Sequence, residues 1–192
     1  MKFTEGSIEG LWIVDIEPVE DHRGFFARTW CEEEFGERGL SAVWRQSNTQ
    51  VSPHRGTMRG LHYQFPPHSE VKLVRCTRGA VFDVAVDLRP DSPTFMEWSG
   101  VELTGENRTS VWTPAGCAHG YLTLEPETEA GYLTSHEYTP SAVRGLRYDD
   151  PAFQIGWPEV PTELPPGYET WPSFDRFDPH FWPQAEGTGQ KG

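Results

Sequence analysis

Short runs rich in β-branched and aromatic residues, each closed by a Gly, Pro, Asn or Asp turn signal, recur along the chain. They fall at residues 11–14, 71–76, 80–88, 95–103, 109–113 and 120–124. Runs this short cannot bury a face alone, and their regular spacing predicts an antiparallel sandwich or barrel, a mainly β fold. In the run at 80–88 a period of two puts Val81, Asp83, Ala85 and Asp87 on one face and Phe82, Val84, Val86 and Leu88 on the other. The second face reads as core. The first carries two carboxylates and is expected to look into a lumen.

One short peripheral helix is predicted near 31–37, where Glu32, Glu33 and Glu34 suit the positive end of a helix dipole. From Trp157 onward Pro, Gly and aromatic residues dominate, as in Pro165-Pro166-Gly167 and Phe181-Trp182-Pro183, which predicts an arm wrapped over the domain. With 192 residues, 36% of them apolar, the chain is expected to form one domain over 1–185 and a disordered tail over 186–192. No internal repeat is present.

The formal charge is -13, from 16 basic and 29 acidic residues. Such a field repels polyanions and argues against nucleic acid or an anionic membrane as partner, so any anionic ligand needs a local cluster of Arg and Lys. No apolar run approaches the ~20 residues that span a bilayer, and residues 1–10 lack a secretory pattern, so a cytoplasmic location is expected. Cys31, Cys76 and Cys117 are odd in number and never in a C-x-x-C arrangement. They suggest neither a disulfide framework nor a thiolate metal site, and read as small apolar groups.

The string Arg59-Gly60-Leu61-His62-Tyr63-Gln64, followed by Lys72 and preceded by Gln46 and Asn48, resembles the dTDP-4-dehydrorhamnose 3,5-epimerase family. The likeness extends through Asp21-His22-Arg23-Gly24-Phe25-Phe26, through residues 83–93, and through Pro114-Ala115-Gly116-Cys117-Ala118-His119-Gly120. It continues at Tyr132 and Tyr138, six apart, and at Arg147-Tyr148-Asp149-Asp150-Pro151 with Trp157-Pro158. The resemblance implies a cupin-type jelly roll, a double-stranded β-helix, without cofactor or metal, acting on a nucleotide-linked 4-keto-6-deoxyhexose, by default a dTDP sugar. It also implies a homodimer in which Arg23 and Phe25 complete the neighbour's pocket.

A ketone at C4 acidifies the hydrogens on C3 and C5. Inverting either carbon needs a base, a cation or donor on the enolate oxygen, and an acid on the opposite face. The resemblance implies His62 as base, and an imidazole with an unperturbed pKa of ~6.5 can accept a proton at neutral pH. It implies Tyr132 as proton donor. Lys72, within an apolar run, would place an ammonium where the enolate charge develops. Arg23, Arg59, Gln46 and Asn48 are the implied diphosphate and nucleotide contacts, with His119 and Tyr138 near the sugar.

Two positions depart from the family pattern. Tyr168 stands where an aspartate usually supports the basic histidine, so a weaker His62 is expected, with Tyr168 orienting it or Asp83 supplying the missing charge. Activity on one carbon, on another sugar nucleotide, or loss of activity with binding retained all follow from such a change. Arg28 stands where some members carry a glutamate to the nucleotide base. A metal-dependent cupin built on His62, His68, Glu70 and His119 is the main rival, against which His62-Tyr63-Gln64 breaks the usual histidine pair and Lys72 would repel an ion.

Overall fold

The computed structural model describes residues 1–178, 180 and 181, so the expected tail over 186–192 lies outside the described residues. Among the described residues are thirteen strands, numbered in chain order, eleven of which form two main sheets of six and five. One runs β1 (Lys2–Glu5), β2 (Trp12–Asp15), β10 (Ser110–Thr113), β7 (Lys72–Arg78), β12 (Thr128–Thr134), β5 (Gln46–Ser52). The other runs β13 (Val143–Gly145), β6 (Met58–Gln64), β11 (Cys117–Thr123), β8 (Ala80–Asp87), β9 (Trp98–Thr104). A separate hairpin joins β3 (Val19–Asp21) to β4 (Gly24–Phe26). All pairings within the sheets are antiparallel, as in a cupin-like jelly roll.

Both main sheets carry buried residues on both faces, though the outer face of the six-stranded sheet is exposed along β5. Between them, Val74, Cys76, Val111 and Ala130 of the first pack on Val81, Ala85, Leu103, Cys117 and Tyr121 of the second. The outer face of the five-stranded sheet carries Met58, Leu61, Val84, Val86 and Leu88, covered by Phe153, Trp157, Phe174 and Phe181 of the C-terminal arm. Outside the six-stranded sheet, Trp112 and Leu73 pack on Phe35 of the only α-helix among the described residues, α1 (Glu32–Gly36). Burying a phenylalanine contributes roughly 1.5–3 kcal/mol, enough to hold so short a helix to the sheet.

The alternation in β8 is therefore real: one face is a buried core and the carboxylate face looks into the space between the sheets. Phe82, Val84 and Val86 lie under the arm, outside the sandwich, whereas Val81 and Ala85 on the carboxylate face are part of the core between the sheets. Asp83 and Asp87 are buried there, and each is paired: Asp83 with His119, Asp87 with Arg89. Cys76 and Cys117 are buried as small core groups, and Cys31 is partly exposed. Among the described residues no helix is long and apolar enough to cross a membrane.

One irregularity organises the interior. Against β11, His119 pairs with His62 and Tyr121 with Arg59, so β6 carries an extra residue over that span. A β-bulge of this kind re-aims the side chains that flank it. Gly60 lies within it at φ +96°, where a Cβ would meet the His119 carbonyl oxygen at 2.5 Å and the Gly120 Cα at 2.7 Å. Replacing Gly60 by Ala is expected to cost at least ~1–3 kcal/mol in backbone strain alone, read as a lower midpoint of urea unfolding.

Candidate active site

A cavity of about 730 Å³ opens between the sheets, within the ~300–1,000 Å³ usual for small-molecule sites. Strand periodicity supplies one wall. In β5 the alternating residues Gln46, Asn48 and Gln50 turn inward while Ser47, Thr49 and Val51 face solvent. Lys72 comes from β7 and Tyr132 and Thr134 from β12, whose register sets Thr134 beside Lys72 and Tyr132 beside Val74. The facing wall is β6 and β11. Arg59 and His62 are three apart and would point to opposite faces of a regular strand, but across the bulge both line the cavity.

The basic side chains on these walls each bond to a protein partner, with one exception. Lys72 is buried and its ammonium lies 2.5 Å from Glu70 Oε1. Gln64 Nε2 donates to the other Glu70 oxygen at 3.2 Å. The His119 ring contacts Asp83 Oδ2 at 2.7 Å through Nε2. Arg59 donates to Ser52 Oγ and to the Val51 carbonyl, and keeps part of its guanidinium toward the cavity. His62 is the exception, with no carboxylate against its ring among the described residues. Burial, then the nearby positive charges of Lys72 and His119, hold its pKa down to about 4, so it is neutral over the physiological range. Burial, with the Glu70 carboxylate adding to it, raises the Tyr132 phenol above its ordinary value and keeps it protonated.

Of the residues singled out in the sequence, His62, Lys72, Tyr132, Gln46, Asn48, Arg59, His119 and Tyr138 line this one cavity. Tyr138 is at the rim, largely exposed, with its backbone N–H donated to Gln46 Oε1. Arg23 is elsewhere, on the β3–β4 hairpin, paired with Asp21. Neither residue considered as a partner for His62 reaches it. Asp83 is taken by His119, and the Tyr168 hydroxyl donates to Asp149 Oδ1 at 2.7 Å while accepting the Tyr148 N–H at 3.0 Å. Arg28 is bonded to Glu34.

The residues of the rival metal site are likewise dispersed in their bonding, Glu70 to Lys72, His119 to Asp83, and His68 against His136. Among the described residues no three of His, Cys, Asp and Glu converge as a ligand set. Glu70, expected only for the rival metal site, also lines the cavity, as do Gln50, Gln64, Tyr121 and Glu163, which are not among the expected site residues. A period of two from Gln46 and Asn48 points to Gln50, and from His62 to Gln64. Glu163 comes from the arm through its bridge to Thr57, which no local pattern reveals.

The model of the dTDP-4-dehydrorhamnose 3,5-epimerase family matches residues 5–175. A dTDP-4-dehydrorhamnose 3,5-epimerase of Sinorhizobium fredii is 42% identical over 162 residues, 84% of this chain and 83% of that protein. The chain belongs to the dTDP-4-dehydrorhamnose 3,5-epimerase family. It is an isomerase of the sugar-nucleotide class. Solved members of the family superimpose closely. The dTDP-6-deoxy-D-glucose-3,5-epimerase of Legionella pneumophila, in complex with dTDP-4-keto-L-rhamnose, gives a TM-score of 0.86 at 34% identity, over 94% of this chain and 96% of that one. A 3'-monoepimerase from Streptomyces bikiniensis, in complex with dTDP-quinovose, gives 0.79 at 35% identity, over 87% and 85%.

Since the Tyr168 hydroxyl is spent on Asp149, Tyr168→Asp sets two carboxylates against each other and does not rebuild a dyad with His62. The expected result is a loss of about 3 kcal/mol of stability, measured by thermal unfolding, with no gain in turnover.

Proposed function

We propose that the chain epimerises a nucleotide-diphosphate 4-keto-6-deoxyhexose at C3, C5 or both, with dTDP as the default nucleotide. His62 takes the proton from carbon, Lys72 steadies the enolate oxygen, and Tyr132 returns a proton to the other face of the ring. The observation that carries this reading is the placement of His62 on the five-stranded sheet and of Lys72 and Tyr132 on the six-stranded sheet, all lining one cavity.

A ring lying between the two walls would present one face to the imidazole and the other to the phenol, as inversion requires. The protonated state of Tyr132 and the neutral state of His62 are the states from which an acid and a base act. The ammonium of Lys72 would stabilise the enolate in a site of low dielectric, where a fixed charge acts strongly. Its Glu70 partner keeps that charge in place while the site is empty. Gln46, Asn48 and Arg59 offer donors for the nucleotide and diphosphate along β5 and the start of β6.

The hairpin supports a homodimer. Val19 and Phe26 are more than 70% exposed and Phe25 is 47% exposed, an apolar strip that a second copy would cover. Arg23 projects from the same hairpin with its side chain 77% exposed, available to a neighbour's diphosphate site. Three unpaired cysteines accord with a reducing, cytoplasmic location.

Incubating the protein with dTDP-4-keto-L-rhamnose in heavy water tests the assignment. Label at C3 and C5 marks a double epimerase and label at C3 alone a single one, whereas tight binding without label leaves a sugar-nucleotide binder and refutes the reading. His62→Asn is expected to slow exchange by about 100-fold or more. Because the lowered pKa keeps the base neutral at low pH, the acid limb of kcat/KM should fall near pH 4 and not near 6.5. Sedimentation should give a dimer, and Arg23→Ala should weaken dTDP binding; a fully active monomer would contradict the assembly.

A further inference from the structure

The imidazole of His62 makes no hydrogen bond to any described residue, and what the C-terminal arm sets against it is an indole. The ring centroids of His62 and Trp171 are 5.2 Å apart with planes inclined at 61°. Gly145 provides the space. It is the register partner of His62 across β13 and β6, and a Cβ there would come within 2.7–2.8 Å of three Trp171 ring carbons.

Behind the indole the ring of Tyr168 lies at 5.4 Å, inclined at 48°. That ring is itself fixed, by the Asp149 carboxylate on its hydroxyl and by the Arg147 guanidinium 4.9 Å above its face. Arg147 and Asp149 close the set with a pair of hydrogen bonds at 3.0 Å. Trp171 is thus clamped between a backbone without a side chain on one side and an anchored phenol on the other.

We infer that Trp171 is the positioning residue of the base, orienting the His62 ring by packing and excluding water from behind it, where a carboxylate would otherwise do both. The inference rests on the assignment of His62 as the base. An indole holds the ring without a formal charge, so it favours the imidazolium far less than a carboxylate does. The groups that face His62 from the other elements act in the same sense: Lys72 from β7 and His119 from β11 are basic, and β13 offers only Gly145. The base therefore works as a neutral imidazole whose conjugate acid gives its proton up readily.

Three variants and one titration test this role. In Trp171→Ala, water reaches the ring, and the His62 resonance in an NMR titration should move from a midpoint of about 4 toward 6.5. Turnover of dTDP-4-keto-L-rhamnose should fall about 100-fold with little change in KM, and Trp171→Phe, which keeps a ring in place, should recover most of the loss. Gly145→Ala, whose methyl displaces the indole without removing it, should move titration and turnover the same way, which covers the case of a poorly folded Trp171→Ala. The inference is overturned if folded, dTDP-binding Trp171→Ala or Gly145→Ala leaves both the titration and kcat as in the parent while His62→Asn is inactive. Full exchange in His62→Asn would instead remove the base assignment and this role with it.

Discussion

A single extra residue in β6, between Arg59 and His62, determines which side chains the cavity receives. In a regular strand side chains alternate, and two residues three apart cannot share a face. The bulge against His119 and Tyr121 breaks that alternation and turns the guanidinium and the neutral imidazole to the same side. It needs two strands that touch backbone to backbone, and Gly60 and Gly120 supply the missing side chains on both. The guanidinium and the imidazole in the pocket are therefore spaced by a defect in pairing.

The interior also shows how a β-sandwich carries charge. Lys72 with Glu70, His119 with Asp83 and Asp87 with Arg89 are buried or half-buried pairs, and further hydrogen bonds on the Glu70 and Asp87 carboxylates offset the cost of leaving water. Asp87 is held so well by Arg89, Ser92 and Thr94 that its pKa falls to about 2 against the pull of burial. His62 lies half-buried among them without a counter-charge and stays neutral. A titratable group left unpaired in a cavity is the kind of group a proton-transfer role would use.

The C-terminal arm contributes to the molecule from outside the sandwich. It covers the outer face of one sheet with Phe153, Trp157, Phe174 and Phe181, and it brings Glu163 to the rim and Trp171 to the base. Structural relatives include both a 3,5-epimerase and a 3'-monoepimerase on the same scaffold.

Much was legible in the residues themselves. Period-two runs such as 80–88 and 71–76 announced paired strands, and the ordered strings around His62, Lys72, Tyr132 and His119 announced a shared pocket, because strand periodicity and motif order are local properties of a chain. The meaning of the two faces of β8 was not local. Apolar residues face inward whether the cover is a second sheet or an arm about seventy residues later, and the chain alone does not say which is which. Nor could spacing show that Tyr168 binds Asp149, that Asp83 binds His119, or that an indole fills the space behind His62. Those are contacts between segments apart in sequence, set by which groups the fold brings together. The sequence determined the strands and the chemical types in the pocket; the tertiary structure decided their partners, since hydrogen bonds and burial are settled by proximity in space.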